Sequence, residues 1–129
     1  MSSDNPIILI IEDTVEFARL TQLMLKRFGY DSQHVADGES AVIFFETQQP
    51  DVVLMDLNLP GMDGWAVMEH MNERFGEGTV PVIITSAYSD AANQNTGKSQ
   101  GVHKYLVKPI APQSLVATIE EALGKDKGT

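Results

Sequence analysis

The chain has 129 residues, of which 43% are hydrophobic and 21% charged, and this composition suits one globular domain with a sizeable core. It contains no cysteine, and its net charge of −9 disfavours direct binding of nucleic acid, because an acidic surface repels phosphate backbones. The N-terminus lacks the pattern of a signal peptide, and no apolar run reaches the ~20 residues that a membrane helix needs. We therefore expect a single cytoplasmic domain over residues 1–129 that does not contact a membrane, with a core at about 6–124 and a tail at 125–129.

Short apolar runs alternate with longer segments of helical periodicity along the chain. Strands are predicted at 7–11, 32–35, 52–55, 80–85 and 105–107; "IILII" and "VVLM" are apolar throughout, as is typical of strands buried on both faces of a sheet. Helices are predicted at 14–28, 39–47 and 64–75, and from Pro112 onwards, with a polar and weakly helical segment at 89–99 in the place of another. This alternation predicts a doubly wound, flavodoxin-like α/β sandwich of five helices and a five-stranded parallel sheet in the order 2-1-3-4-5.

Four of the predicted helices have an apolar face that we expect to pack on the sheet. These faces comprise Phe17, Leu20, Met24 and Phe28 in the first helix, Ala41, Phe44 and Phe45 in the second, Trp65, Met68 and Met71 in the third, and Leu115, Ile119 and Leu123 in the last.

Polar side chains stand where the predicted strands end, and in sheets of this class the functional crevice lies beyond those carboxyl ends. Glu12 and Asp13 follow the first strand, and Asp56 follows the third. Ser86 follows the fourth strand and Lys108 the fifth. Because strands one, three and four are neighbours in the predicted order, three carboxylates should converge beside a hydroxyl and an ammonium.

Three close carboxylates cannot all stay ionised without a cation, because like charges raise each other's pKa. Carboxylate oxygens suit Mg²⁺ (or Mn²⁺), whereas zinc is disfavoured because no His or Cys lies near these strand ends. A bound Mg²⁺ suggests phosphoryl chemistry, in which Asp56 would be the nucleophile and form an aspartyl phosphate. Lys108 and the Ser86 hydroxyl would then contact phosphoryl oxygens.

The segments "LIIED", "VVLMDLNLPGMDG", "PVIITSAY" and "YLVKP" resemble the receiver domain of two-component response regulators. They occur in the order and at the spacing of that family, and the similarity covers essentially the whole chain.

The resemblance implies a role for individual residues. Asp56 matches the phospho-acceptor, Asp13 a direct Mg²⁺ ligand and Glu12 a ligand acting through water. The backbone carbonyl of Asn58 matches the third protein position around the metal. Further matches are Lys108 as the phosphate-pairing lysine, Ser86 and Tyr105 as the switch residues, Pro109 as a typically cis proline, and Tyr88 as a residue beside the reactive group.

The resemblance also implies a mechanism and partners. A histidine kinase or histidine phosphotransfer protein would donate the phosphoryl group to Asp56, and the protein would assist its own phosphorylation and slow dephosphorylation without being an enzyme. Ser86 and Tyr105 would then move, which would change binding of a downstream protein at the face formed by the predicted fourth helix (89–99), the fifth strand and the fifth helix. The expected state is a monomer or a weak, phosphorylation-dependent dimer.

Several alternatives remain open at this point. The segment 90–101 is unusually polar, which casts doubt on the usual output face. The chain could be a stand-alone receiver, which its short polar C-terminus favours, or a receiver excised from a larger regulator or hybrid kinase. A Mg²⁺-dependent phosphatase with an aspartate nucleophile is the enzymatic alternative, although Asn58 stands where such enzymes usually place an acid. A flavodoxin-like cofactor module is disfavoured, because the acidic "EDTVEF" would repel a flavin phosphate.

Overall fold

The computed structural model of the protein describes residues 5–57, 59–86 and 102–124. The elements in chain order are β1 (Ile8–Ile11), α1 (Val15–Arg27), β2 (Ser32–Val35), α2 (Gly38–Thr47), β3 (Val52–Asp56), α3 (Gly64–Phe75), β4 (Val82–Ser86), β5 (Lys104–Val107) and α4 (Pro112–Ala122). The helix predicted at 89–99 lies outside the described residues, so α4 is the helix that was predicted to begin near Pro112.

The five strands form one parallel sheet in the order β2-β1-β3-β4-β5, which confirms the predicted order. Every residue of β1, β3 and β4 is buried, because helices cover both faces of these central strands. One face packs against α2 and α3 through a cluster that includes Phe45, Met68 and Met71. The other face packs against α1 and α4 through a cluster that includes Leu25, Leu115 and Ile119. The chain therefore forms the α/β sandwich that the sequence predicts.

The face that α1 buries agrees only in part with the predicted one. Phe17 and Met24 pack against the core as expected. Leu20 and Phe28, expected in the core, are half exposed, whereas Ala18, Thr21 and Leu25 are buried. The Thr21 hydroxyl donates to the Phe17 carbonyl at 2.8 Å, so this polar residue is buried without an unmet hydrogen bond. The small Ala18 side chain lets the helix lie close to the sheet. As a result, α1 is rotated about its axis and leaves apolar side chains at the surface.

Met62, in the loop that leads into α3, packs closely against α2. A Cβ atom at Gly38 would lie 2.8 Å from Val67 Cγ2 and 3.0 Å from Met62 Cβ, so a side chain there would push α2 and this loop apart. Asp63 then caps α3 by accepting from the Ala66 N–H at 2.9 Å. These contacts place Met62 and Asp63, which lead into α3, close to α2. Within the described ranges, every helix is too short or too polar to cross a bilayer.

Candidate functional site

An ion-pair cluster joins the carboxyl ends of three strands. The Lys108 ammonium, which follows β5, donates to Glu12 Oε1 at 3.1 Å and to Asp56 Oδ2 at 3.2 Å. Glu12 follows β1 and Asp56 ends β3, so residues far apart in the sequence meet at one rim of the sheet. The structure therefore brings together the acidic groups and the ammonium that the sequence analysis expected to converge.

Asp13 completes an acidic group at this rim. Carboxylate oxygens of Glu12, Asp13 and Asp56 all lie within 4.8 Å of one another. Asp13 is exposed, whereas Glu12 and Asp56 are 1% and 7% exposed. Three carboxylates around one ammonium leave two negative charges in excess among the described groups, which is the charge that one divalent cation would balance. The all-oxygen donor set fits Mg²⁺ or Mn²⁺.

Glu12 is held in place by backbone contacts as well as by Lys108. Its Oε2 accepts from the Thr14 N–H at 3.1 Å, at the start of α1, and its own N–H donates to the Val35 carbonyl at 3.1 Å. His34 Nε2 lies 2.7 Å from the Glu12 carbonyl oxygen. The expectation that no histidine lies near the strand ends is therefore wrong for His34, because a hydrogen bond from a side chain of β2 to a carbonyl beyond β1 leaves no signal in the sequence.

The cluster changes the acidity of its members. Burial raises the pKa of Glu12, and repulsion from Asp56 raises it further, while the hydrogen bond from Lys108 opposes both effects; the net shift is upward. Burial alone would lower the pKa of Lys108, but its hydrogen bonds and ion pairs with Glu12 and Asp56 outweigh burial and raise it. In the metal-free cluster, Lys108 therefore keeps its proton more readily than a free lysine, and Glu12 loses its proton less readily than a free glutamate.

This shift in the pKa of Glu12 predicts a pH-dependent stability. Because the folded-state pKa lies above the ordinary value of 4.5, the group favours folding below that pH, and its contribution is lost as the pH rises through the raised folded-state pKa. Glu12→Gln removes this contribution. We expect the unfolding free energy of metal-free Glu12→Gln, minus that of the wild type, to increase as the pH rises above about 4.5.

The measurement is urea unfolding at several pH values with chelator present. Glu69→Gln is the matched control, because Glu69 is exposed on α3 and its removal leaves the cluster intact; its difference from the wild type should not depend on pH in the same range. A difference for Glu12→Gln that stays constant from acid to neutral pH would contradict the assigned cause.

The structure describes some of the remaining predicted site residues and not others. Ser86 is buried at the end of β4, and its carbonyl accepts from the Lys108 N–H at 2.8 Å, which ties the two strand ends together. Tyr105 is half-buried on β5 and packs on the α2/α3 side of the sheet. The peptide bond between Lys108 and Pro109 is cis. Asn58 and Tyr88 lie outside the described residues.

One contact of the site was missed by the sequence analysis. Lys108 Nζ lies 4.3 Å from the centroid of the Phe17 ring, which is in the first turn of α1. Phe17 packs against the core, as expected, and is half-buried with its ring beside the ammonium of Lys108. Its helical spacing identified an apolar face, but the ammonium above the ring depends on how α1 is rotated against the sheet.

Comparisons with known proteins agree with this fold and site. A family model described as "Response regulator receiver domain" matches residues 8–120. The protein named "Probable transcriptional regulator ycf27" of Porphyridium aerugineum is 36% identical over 116 residues, which cover 90% of this chain and 47% of the relative. The protein named "DNA-binding response regulator MtrA" of Mycolicibacterium paratuberculosis is 31% identical over 119 residues, which cover 92% of this chain and 52% of the relative.

A solved structure is similar over nearly its whole length. The receiver domain of sensor histidine kinase PA1611 from Pseudomonas aeruginosa, with a magnesium ion coordinated in its active site cleft, superposes with a TM-score of 0.83 at 29% identity. The alignment covers 93% of this chain and 98% of that one. The chain spans about half the length of the two curated relatives, 47% and 52%. With a family match over most of its length, a sheet in the expected order and an acidic cluster at the expected rim, this chain belongs to the response regulator receiver domain family.

Proposed function

We propose that the protein is a phospho-accepting signalling switch in which Asp56 takes a phosphoryl group from a phosphohistidine. A carboxylate oxygen of Asp56 attacks phosphorus, the bond between phosphorus and the histidine nitrogen breaks, and the imidazole leaves with that electron pair. The single observation that carries the proposal is the cluster at the rim of the sheet. Lys108 contacts Asp56 and Glu12 there, and three carboxylate oxygens lie within 4.8 Å of one another.

The cluster supplies what phosphoryl transfer requires from a protein. β3 is buried along its whole length and therefore holds Asp56 in one position at the carboxyl end of the strand. An in-line attack requires a nucleophile that is fixed in this way. The Lys108 ammonium is within hydrogen-bond distance of Asp56 and could contact a phosphoryl oxygen attached there. Glu12, Asp13 and Asp56 would hold Mg²⁺ or Mn²⁺, and a divalent ion bound there would neutralise phosphoryl oxygens.

The experiment that tests the proposal measures the intact mass of the protein after incubation with acetyl phosphate and Mg²⁺. We expect a gain of one phosphoryl group that chelator prevents. Release of phosphate from added phosphomonoesters without labelled protein would instead favour an aspartate-nucleophile phosphatase, and absence of both would reject phosphoryl chemistry at this site. We propose that the protein accepts a phosphoryl group and loses it slowly, without turnover of outside substrates.

The exposed face of α1 is the described surface that best suits the phosphodonor. Of the six most exposed large apolar side chains among the described residues, four lie on α1 or at its C-terminal cap: Val15, Leu20, Leu23 and Phe28. Leu20, Leu23 and Phe28 line a groove of about 770 Å³ that reaches Pro112 at the start of α4. Because Phe17, on the same helix, contacts Lys108, a helix seated on α1 would lie next to Asp56. We propose that a helix of a histidine kinase or histidine phosphotransfer protein docks there.

A charge placed on this face should slow labelling by a protein phosphodonor but not labelling by the small donor acetyl phosphate. We expect Leu23→Glu to slow labelling by a phosphohistidine protein about tenfold or more, because a charge in an apolar interface must be desolvated. Labelling by acetyl phosphate should not change. Leu23 is 59% exposed, and it lies further along α1 than Phe17, the residue of this helix that contacts Lys108. The measurement uses any histidine kinase or phosphotransfer protein that labels the wild type.

The matched control is Ile43→Glu, which places the same charge on α2, where Ile43 is 64% exposed. This variant should be labelled at the wild-type rate by both donors. Equal slowing of the two variants by the protein donor would contradict docking on α1.

The proposed output surface includes β5 and α4. Glu121 Oε1 lies 3.3 Å from His103 Nε2 and 3.9 Å from Lys104 Nζ, so polar contacts connect the start of the edge strand to this helix. The predicted switch residue Tyr105 follows Lys104 on the same strand. We propose that a downstream protein reads a change at this face after phosphorylation of Asp56, with binding of nucleic acid by these residues disfavoured by the net charge of −9.

A further inference from the structure

The ring of Phe17 provides Lys108 with a third partner that is not a hydrogen-bond acceptor. Two of the ammonium's three N–H groups are directed to Glu12 and Asp56, and the ring centroid lies 4.3 Å from Nζ. The Lys108 side chain is 23% exposed, so much of the ammonium's hydration has been replaced by these contacts. An aromatic ring attracts a cation more strongly when water is excluded, because the ring's charge distribution is then less screened.

The position of the ring is tied to the acidic cluster. Glu12 accepts from Lys108 through Oε1 and from the Thr14 N–H, at the start of α1, through Oε2. Phe17 lies in the first turn of that helix, and its carbonyl accepts from the buried Thr21 hydroxyl. One carboxylate therefore links the ammonium to the start of the helix that carries the ring.

The chemistry of the ring suits a lysine that must change partners. Lysine is a flexible chain with a strongly hydrated charge, and holding it in one place costs side-chain entropy. A carboxylate in place of the ring would hold the ammonium but compete with an arriving phosphoryl oxygen. A leucine would not compete but would leave the charge without electrostatic support. The ring attracts the ammonium and leaves its N–H groups available.

We propose that Phe17 is a positioning residue for Lys108 and that the attraction between its ring and the ammonium sets the rate of phosphoryl transfer to Asp56. This inference rests on the proposed function, because the rate exists only if Asp56 accepts a phosphoryl group. Phe17 would act through Lys108, the residue of the site that its ring contacts, and would not itself bind the phosphoryl group.

The test weakens the ring's attraction without removing the ring. Site-specific incorporation of mono-, di- and trifluorophenylalanine at position 17 withdraws electron density from the ring face stepwise and changes its volume little. The rate of labelling by acetyl phosphate should fall with each added fluorine. Phe17→Leu should lower it about fivefold, which corresponds to about 1 kcal/mol.

Phe75 provides the matched control, since it is a half-buried phenylalanine at the end of α3, on the other face of the sheet. The same fluorinated series at position 75 should leave the labelling rate unchanged. A purely structural role of Phe17 would make Phe17→Leu slow but leave the fluorinated proteins at the wild-type rate, and this outcome would overturn the inference while the proposed function stands. A wild-type protein that gains no phosphoryl group would overturn both.

A second measurement examines the contact without any phosphodonor. In the proton NMR spectrum, ring currents from Phe17 should shift the ε-methylene resonances of Lys108 upfield of those of the exposed Lys26. Phe17→Leu should remove this shift. Resonances of Lys108 that do not respond to Phe17→Leu would show that the ring and the ammonium are not in contact, and the inference would fall.

Discussion

Asp56→Asn is expected to gain no phosphoryl group from acetyl phosphate or from a phosphohistidine protein under conditions that label the wild type completely. The amide has nearly the shape of the carboxylate but lacks its negative charge and its nucleophilic oxygen. The Lys108 ammonium keeps its contact with Glu12 in this variant. Intact-mass measurement with Mg²⁺ present gives the result directly, and it is the largest effect expected of any single substitution in the chain.

Loss of folding would not account for that result. Removing the charge of Asp56 weakens its contact with Lys108 but also removes its repulsion of Glu12, so the metal-free variant should stay close to the wild type in stability in urea. Asp31→Asn is the control substitution, because Asp31 is an exposed carboxylate paired with Lys26 and should leave labelling unchanged. Full labelling of Asp56→Asn would show that another carboxylate, such as Asp13, is the acceptor.

Lys108→Met should affect both stability and phosphorylation. Methionine keeps much of the length of the side chain but leaves the carboxylates of Glu12 and Asp56 without their shared cation. We expect the unfolding free energy of the metal-free protein at pH 7 to fall by about 3 kcal/mol, as for other buried ion pairs that lose one partner. Labelling by acetyl phosphate should slow about 100-fold or more, the effect of losing one donor to a developing charge.

Two further measurements identify the cause of these losses. Mg²⁺ should restore part of the stability of Lys108→Met, since a divalent cation replaces the missing charge. Lys104→Met removes an exposed lysine from β5 and should change neither the stability nor the labelling rate appreciably. Wild-type stability and rate in Lys108→Met would mean that the ion pairs at the rim have no part in the proposed function.

The sequence predicted the sheet well because its central strands carry an unambiguous signal. Residues 52–55 are apolar without interruption, which is expected only where both faces of a strand are covered, and they form most of β3. The acidic site followed from the order of the strands alone. In a parallel sheet all carboxyl ends lie at one edge, so Glu12 and Asp56 had to be neighbours once β1 and β3 were adjacent.

The rotation of α1 was not predictable in the same way. Its apolar residues form two overlapping stripes, one through Leu20 and Phe28 and another through Ala18 and Leu25, which are roughly a quarter turn apart. The larger side chains favoured the first stripe. The structure buries the second, because a small alanine and an internally bonded threonine allow close approach to the sheet. The contact between Phe17 and Lys108 depends on that rotation, which is why the sequence did not reveal it.

The route of the Lys108 side chain has a mechanical consequence. Lys108 follows the border strand β5, yet its ammonium contacts Asp56 at the end of β3 and Glu12 beyond β1, so the side chain passes across the end of β4. When the ammonium moves at Asp56, the movement is therefore passed to β5. Within the described sheet β5 is hydrogen-bonded only to β4, whereas each interior strand is held by two neighbours. The stiffness of β5 would then set how far a displacement of Lys108 spreads, so substitutions in β5 should alter the size of the structural response and leave the rate of phosphorylation of Asp56 unchanged.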